Sequence, residues 1–210
     1  MKYKIEKNTV QETLIIPLYA RKVCSELYPN LYRDETAVRL IDEIDYDFSE
    51  AEKNSRSLMQ RFGSLEVAMR QCDLAWEVRD YLKTHPCAAV FFASGVFYYF
   101  LTQQVRDLVQ GMADAFPGGV LVFDAANRTA VKMIAKTWLK TAKIKDVGAY
   151  FAVSDAKSEL SPWDSRLQVS SRGYMLGYND LKDPSVSGFF RFLARVGDSM
   201  MKIQIVKINF

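Results

Sequence analysis

Metal chemistry has little to build on in this 210-residue chain, because one histidine, His85, and three cysteines, Cys24, Cys72 and Cys87, are its whole supply of imidazole and thiolate ligands. The cysteines form no CxxC pair and are odd in number, which argues against a zinc site and against a disulfide framework. No metal is expected, and reduced thiols in a cytoplasm fit best. His85 follows Thr84 at a helix end and precedes Pro86, so helix capping is favoured over catalysis.

Short catalytic signatures are missing as well. There is no GxxxxGK[ST] loop, no GxSxG elbow, no HExxH and no GxGxxG, which removes the common marks of nucleotide, hydrolase and zinc-protease chemistry. A dominant charge is also lacking. The 28 basic and 25 acidic residues leave a net +3 and are interspersed, so a nucleic-acid partner gains no support. The densest basic stretch, "KTWLKTAKIK" from Lys136 to Lys145, reads as the solvated face of an amphipathic helix, and "DEIDYDFSEAE" as a solvated face or loop. The start, "MKYKIEKNTVQETLIIPLYARK", has no small-residue cleavage site and is not expected to be a secretory leader.

Long apolar runs are absent too. The most apolar stretch is uncharged from Cys87 to Leu101, fifteen residues, against the roughly 20 predominantly apolar residues that a spanning helix needs. No membrane span is expected. Val, Phe and Tyr after a His-Pro breaker favour a buried strand leading into a loop at Gly95.

What is present describes a globular protein. Hydrophobic residues make up 49% and charged residues 25%, with thirteen Phe, eleven Tyr and three Trp, enough for a sizeable core. Residues 1–85 read as helices: "QETLIIPLYARKVCSELYP", with Pro17 marking a late start or a kink; "DETAVRLIDEI", opened by Asp34 as N-cap; and "SLEVAMRQCDLAWEVRDYLKTHP", opened by Ser64. From residue 86 to 210 the pattern alternates. "AAVFFAS" and "VLVFDAAN" are continuous apolar runs on either side of the helical "TQQVRDLVQGMADAF", which predicts a βαβ unit with parallel strands. Beyond it come a helix "TAVKMIAKTWLKTAK", a strand "GAYFAV", a short helix or turn "DAKSELSPW", a strand in "RLQVSSRGYML", a helix "SVSGFFRFLARV" and a final strand "MKIQIVKINF" of ambiguous register. The fold class is α/β with a mixed sheet and a helical N-terminal cap, packed as one compact domain.

Ligands of open α/β sheets bind beyond the carboxyl ends of strands. Here those ends carry Ser94, Gly95, Tyr98 and Tyr99 after the first apolar run and Asp124 after the second. A carboxylate there is costly unless it meets a ligand, a donor or a helix N-terminus. For Asp124 two readings stand level: a ligand or donor contact, and capping of the helix that starts near Asn127.

Four stretches, "LIIPLYARKVCSELYPNLYRDETAVRLI", "GSLEVAMRQCDLAWEVRDYL", "SGVFYYFLTQQVRDLVQGMADAFPGGVLVFDAAN" and "MKIQIVKINF", together resemble the leucine carboxyl methyltransferase family, with most similarity to its polyketide-synthesis (tetracenomycin-type) O-methyltransferase branch. The resemblance covers nearly the whole chain in family order. It implies a Rossmann-like class I fold, S-adenosyl-L-methionine as cofactor and a small-molecule or carboxylate acceptor. It places Arg70 on the arginine that holds the cofactor's carboxylate, a task suited to a bidentate guanidinium, with Arg21 at a second basic position of the cap. Gly95 and Tyr99 match the family's usual residue types, whereas Ser94 stands where many relatives carry an acid. No catalytic residue is implied.

One departure is large. In the family, the strand matching "HPCAAV" is followed by a Gly-rich loop of the "NLGCGLDT" kind and by an acidic residue for the cofactor ribose, but here Val90 runs directly into Phe91. At about 30 residues per βαβ unit, roughly two units are missing. Cofactor binding is therefore expected to be impaired, and a non-catalytic binding or scaffold protein is the alternative. The shortened sheet is expected to expose an edge or an apolar flank that a second copy of the chain would cover.

Overall fold

The computed structural model describes residues 2–6, 10–55, 57–91, 93–134, 136 and 148–210. The helical cap forms as the periodicity predicts. Helix α1 (Val10–Leu27) runs through Pro17 without a late start. Helix α2 (Glu35–Glu43) is capped by Asp34, whose carboxylate accepts from the Ala37 N–H at 2.8 Å. A short helix α3 (Ser49–Ser55) precedes α4 (Leu58–Leu82), which begins a turn and a half earlier than Ser64 because Ser57 supplies the cap. At its far end the His85 N–H donates to the Tyr81 carbonyl at 3.1 Å, and the imidazole stacks on the Tyr81 ring at 4.1 Å. His85 thus finishes a helix. A two-residue parallel ladder, β1 (Tyr3–Lys4) with β2 (Ile44–Asp45), ties the chain start to the end of α2.

The main sheet departs from expectation. Its strands are β3 (Val120–Ala125), β4 (Gln168–Gly173) and β5 (Gln204–Asn209), in the order β3-β5-β4, and both ladders are antiparallel. The βαβ unit predicted around "AAVFFAS" does not form: among its described residues there is no strand, and Phe91 is 78% exposed. A strand needs a ladder partner for its N–H and C=O groups. Here the segment turns instead through Ala88 N–H to the His85 carbonyl, then Gly95 N–H to the Asp124 side chain. "GAYFAV" likewise forms no strand. Its Tyr150 and Val153 N–H groups bond to the Tyr98 and Ala126 carbonyls, and Phe151 and Val153 are buried.

Helices cover both faces of this small sheet. On one face Ile203 and Ile205 meet residues of α1, α4 and helix α8 (Gly188–Ser199), among them Cys24, Leu65, Met69 and Phe190. On the other, Val206, Ile208, Leu121 and Phe123 meet Val105, Val109 and Ala113 of α5 (Thr102–Ala115) and Leu160 of α7 (Ala156–Leu160). That arrangement settles the register of the last strand. As the middle strand it is buried on both sides, which explains why its sequence does not alternate between apolar and polar. Helix α6 (Arg128–Ile134) follows β3, and the rest of "TAVKMIAKTWLKTAK", with most of "KTWLKTAKIK", lies outside the described residues. No helix among the described residues is long and apolar enough to cross a membrane.

Candidate functional site

Helix α4 carries Glu66, Arg70, Asp73 and Glu77 at i, i+4, i+7 and i+11, spacing that puts all four along one face. That face turns toward the sheet. Arg70 reaches Asp124 on β3, Glu77 reaches Lys207 on β5, and Asp73 meets Asn179. Buried charge costs several kcal/mol unless it is paired and hydrogen-bonded, so the chain places a partner opposite each of these three positions.

The centre of the stripe is the Arg70 cluster. Arg70 Nη1 lies 3.3 Å from Asp124 Oδ2, and the Gly95 N–H donates to Asp124 Oδ1 at 2.7 Å. The Asp124 side chain is only 2% exposed, that of Arg70 19%. Gly95 has φ +69°, and a Cβ there would sit 2.9 Å from Arg70 Nη1. The position therefore demands glycine both for its backbone and for the guanidinium beside it. Burial holds the hydroxyls of Tyr98 and Tyr174 well above the usual tyrosine range, and the Asp124 charge adds to the shift in both. Burial by itself would lower the Arg70 guanidinium. Tyr174, Asp124, Tyr98 and Glu66 together outweigh it and raise the group, so Arg70 stays a cation.

Of the residues picked out in the sequence, Arg70, Gly95 and Tyr99 come together here. Tyr99 is half-exposed at the rim, its hydroxyl raised by burial and pulled back by Arg70. Ser94 is the half-buried neighbour of Gly95. Arg21 does not join them: its Nε donates to Asp34 Oδ2 at 2.8 Å, bracing α1 against α2. Of the two readings of Asp124, contact with donors is the one realised. Asn127 caps α6 itself, through Oδ1 to the Ala130 N–H at 2.9 Å.

The remainder of the stripe was not singled out in the sequence. Glu77 accepts from the Tyr178 hydroxyl at 2.7 Å and from Lys207 Nζ at 3.0 Å, while the Arg172 guanidinium lies over the Tyr178 ring at 4.7 Å. Asp73 is 1% exposed; one of its oxygens accepts from Asn179 Nδ2 at 3.0 Å and the other has no hydrogen-bond partner among the described residues. Its carboxyl is pushed up to about 8, chiefly by burial. Burial likewise pushes Glu66 up to about 7, against the pull of Arg70. The signal that finds this stripe is a run of charges at helical spacing on the same helix as Leu65, Met69 and Leu74.

A cleft of about 270 Å³ opens near the carboxyl end of β3, lined by Leu101, Arg128, Val131, Lys132, Tyr150 and neighbours. Arg128 and Lys132 make it basic. For S-adenosylmethionine, the residues present fit one end of the molecule only. Arg70 suits its carboxylate, although Asp124 already engages that guanidinium, and no Gly-rich turn or ribose-binding acid stands in the sequence after "HPCAAV". The nucleoside end does not fit.

No protein-family model, no curated protein and no solved structure matches this chain.

Proposed function

We propose that the chain is a shortened S-adenosylmethionine-dependent O-methyltransferase of the leucine carboxyl methyltransferase kind, which grips the amino-acid end of the cofactor weakly and has lost the rest of its pocket. The observation that carries this reading is the meeting of Arg70 and Gly95, two positions implied by the sequence resemblance, on one buried carboxylate at the end of β3, with Tyr99, a third such position, near enough for the charges of Arg70 and Asp124 to act on its hydroxyl. Arg70 meets Asp124 through Nη1 alone, and a guanidinium carries five N–H donors. The basic cleft beside Arg128 and Lys132 suits a small carboxylate acceptor. No transfer step is assigned, because the sequence after "HPCAAV" has neither the Gly-rich turn nor the ribose-binding acid. Calorimetric titration tests the proposal: weak saturable heat with S-adenosylmethionine is expected, and no heat at millimolar cofactor would sink it.

A second reading, a non-catalytic binding or scaffold protein, is favoured by a different observation. The segment that would have been the first strand of the second half lies on the surface, with Val90 and Phe91 exposed. Under this reading the cluster around Arg70 is a structural joint between α4 and the sheet. Transfer of a labelled methyl group from the cofactor to any acceptor in an extract would overturn it.

A further inference from the structure

The cleft beyond β3 carries a charge that the chain leaves unbalanced. Arg128 and Lys132 both line it and stand one turn apart on α6, a spacing at which like charges destabilise a helix. Arg128 is also the first residue of α6, where the helix's own partial charge is already positive. Neither cation has an ion pair or hydrogen bond among the described residues, and none of the described residues that line the cleft is acidic. Thr102, the first residue of α5, lines it too, and the first turn of that helix holds no acid. Arg21, Arg70 and Lys207, in contrast, each meet a carboxylate of the chain. A cleft walled by one sign of charge concentrates ions of the other, and a local rule broken without compensation inside the fold is the mark of a functional site. The opposite wall is fixed. The Tyr150 N–H donates to the Tyr98 carbonyl at 2.7 Å, and its ring lies against Gly148, where a Cβ would sit 2.3 Å from the tyrosine hydroxyl.

We infer that this cleft binds a small dianion, a phosphate monoester or a dicarboxylate, gripped by Arg128 and Lys132 together. Charge and size set the class. Two unpaired cations on one space match two negative charges, whereas a single carboxylate leaves one cation unbalanced. The volume of about 270 Å³ lies under the roughly 300–1,000 Å³ of sites for drug-sized ligands, so the ligand is a molecule of few carbons with its apolar part against Val131 and Tyr150. The inference rests on the reading of this cleft as a ligand site and adds the second charge to its ligand; it does not depend on cofactor binding.

Calorimetric titration of the full chain with inorganic phosphate, succinate and acetate tests it, at constant ionic strength and about pH 7.5, where phosphate is mostly a dianion. Phosphate, succinate or both should saturate in the millimolar range, and acetate should bind about tenfold more weakly. Saturation by one dianion alone tells a phosphate ester from a dicarboxylate, and either supports the inference. Arg128→Gln and Lys132→Gln should each weaken the dianion about tenfold and bring it level with acetate. Lys157→Gln, which removes an exposed charge from α7, should leave binding unchanged. All three side chains are exposed, so each variant should keep the wild-type circular dichroism and thermal transition. Acetate binding as tightly as the dianions would overturn the inference and leave a simple carboxylate acceptor standing. No saturable binding of either dianion, or an equal loss in all three variants, would overturn it outright.

Discussion

Between about pH 4 and pH 8 the fold should lose stability as pH rises, and Asp73 is the reason. Its carboxyl is pushed up to about 8 from 3.8, first by burial, then by the charges of Asp198 and Glu77, with Asn179 and Arg172 pulling the other way. In that window the folded chain keeps a proton that the unfolded chain has released. Stability from this group is therefore complete below the unfolded value and lost as pH passes the folded one. Each tenfold separation of the two constants is worth about 1.4 kcal/mol, which sets a ceiling of about 6 kcal/mol. Relaxation around the charge brings the expected loss to about 2–4 kcal/mol, or roughly 5–15 °C in Tm for a chain of this size. Asp73→Asn keeps the oxygen that accepts from Asn179 and removes the titration. Thermal melts of wild type and Asp73→Asn at acid, neutral and alkaline pH give the comparison directly. Glu66 and Asp198 are raised by burial as well; since Asp198 and Asp73 raise each other, the difference between the two proteins reads Asp73 together with that coupling. The variant should gain on wild type as pH rises, and parallel profiles would refute the reasoning.

Other substitutions follow from the same contacts. Breaking the Arg70–Asp124 pair should be asymmetric in urea denaturation: Arg70→Ala leaves the 2% exposed Asp124 side chain uncompensated and should cost about 3–5 kcal/mol. Asp124→Ala leaves an arginine with partial access to water and should cost less. Gly95→Ala should destabilise by at least about 1–2 kcal/mol from its backbone alone, with more from displacing Arg70. Phe91→Ser, at a position 78% exposed, should stay within about 0.5 kcal/mol of wild type in the same assay, whereas a core-strand phenylalanine would cost about 3–5 kcal/mol.

The helical cap was legible because its signals are local. Asp34 caps the predicted helix, and apolar spacing carries α1 past Pro17 and α4 from Ser64 onward. The strand "AAVFFAS" was misread because a short apolar run specifies burial only where neighbours exist to bury it. Among the described residues β3 pairs with β5 alone, and Phe91 stays in solvent. The same dependence on neighbours made β5 ambiguous in sequence and plain in structure: it is covered on both faces. At the candidate site, Arg70 came from resemblance alone, whereas Gly95, Tyr99 and Asp124 were marked by their place at the ends of apolar runs. The partners of Asp73 and Glu77 come from Asn179, Tyr178 and Lys207, more than 100 residues away, and no local pattern could have supplied them.

The central claim is that Arg70 is a carboxylate-gripping position of a cofactor site. It is tested most directly by parallel calorimetric titrations of the wild-type chain with S-adenosylmethionine and with 5′-methylthioadenosine, which lacks the amino-acid end. Saturable heat with the first and none with the second is the predicted result. Silence with both, or equal binding of both, would contradict it.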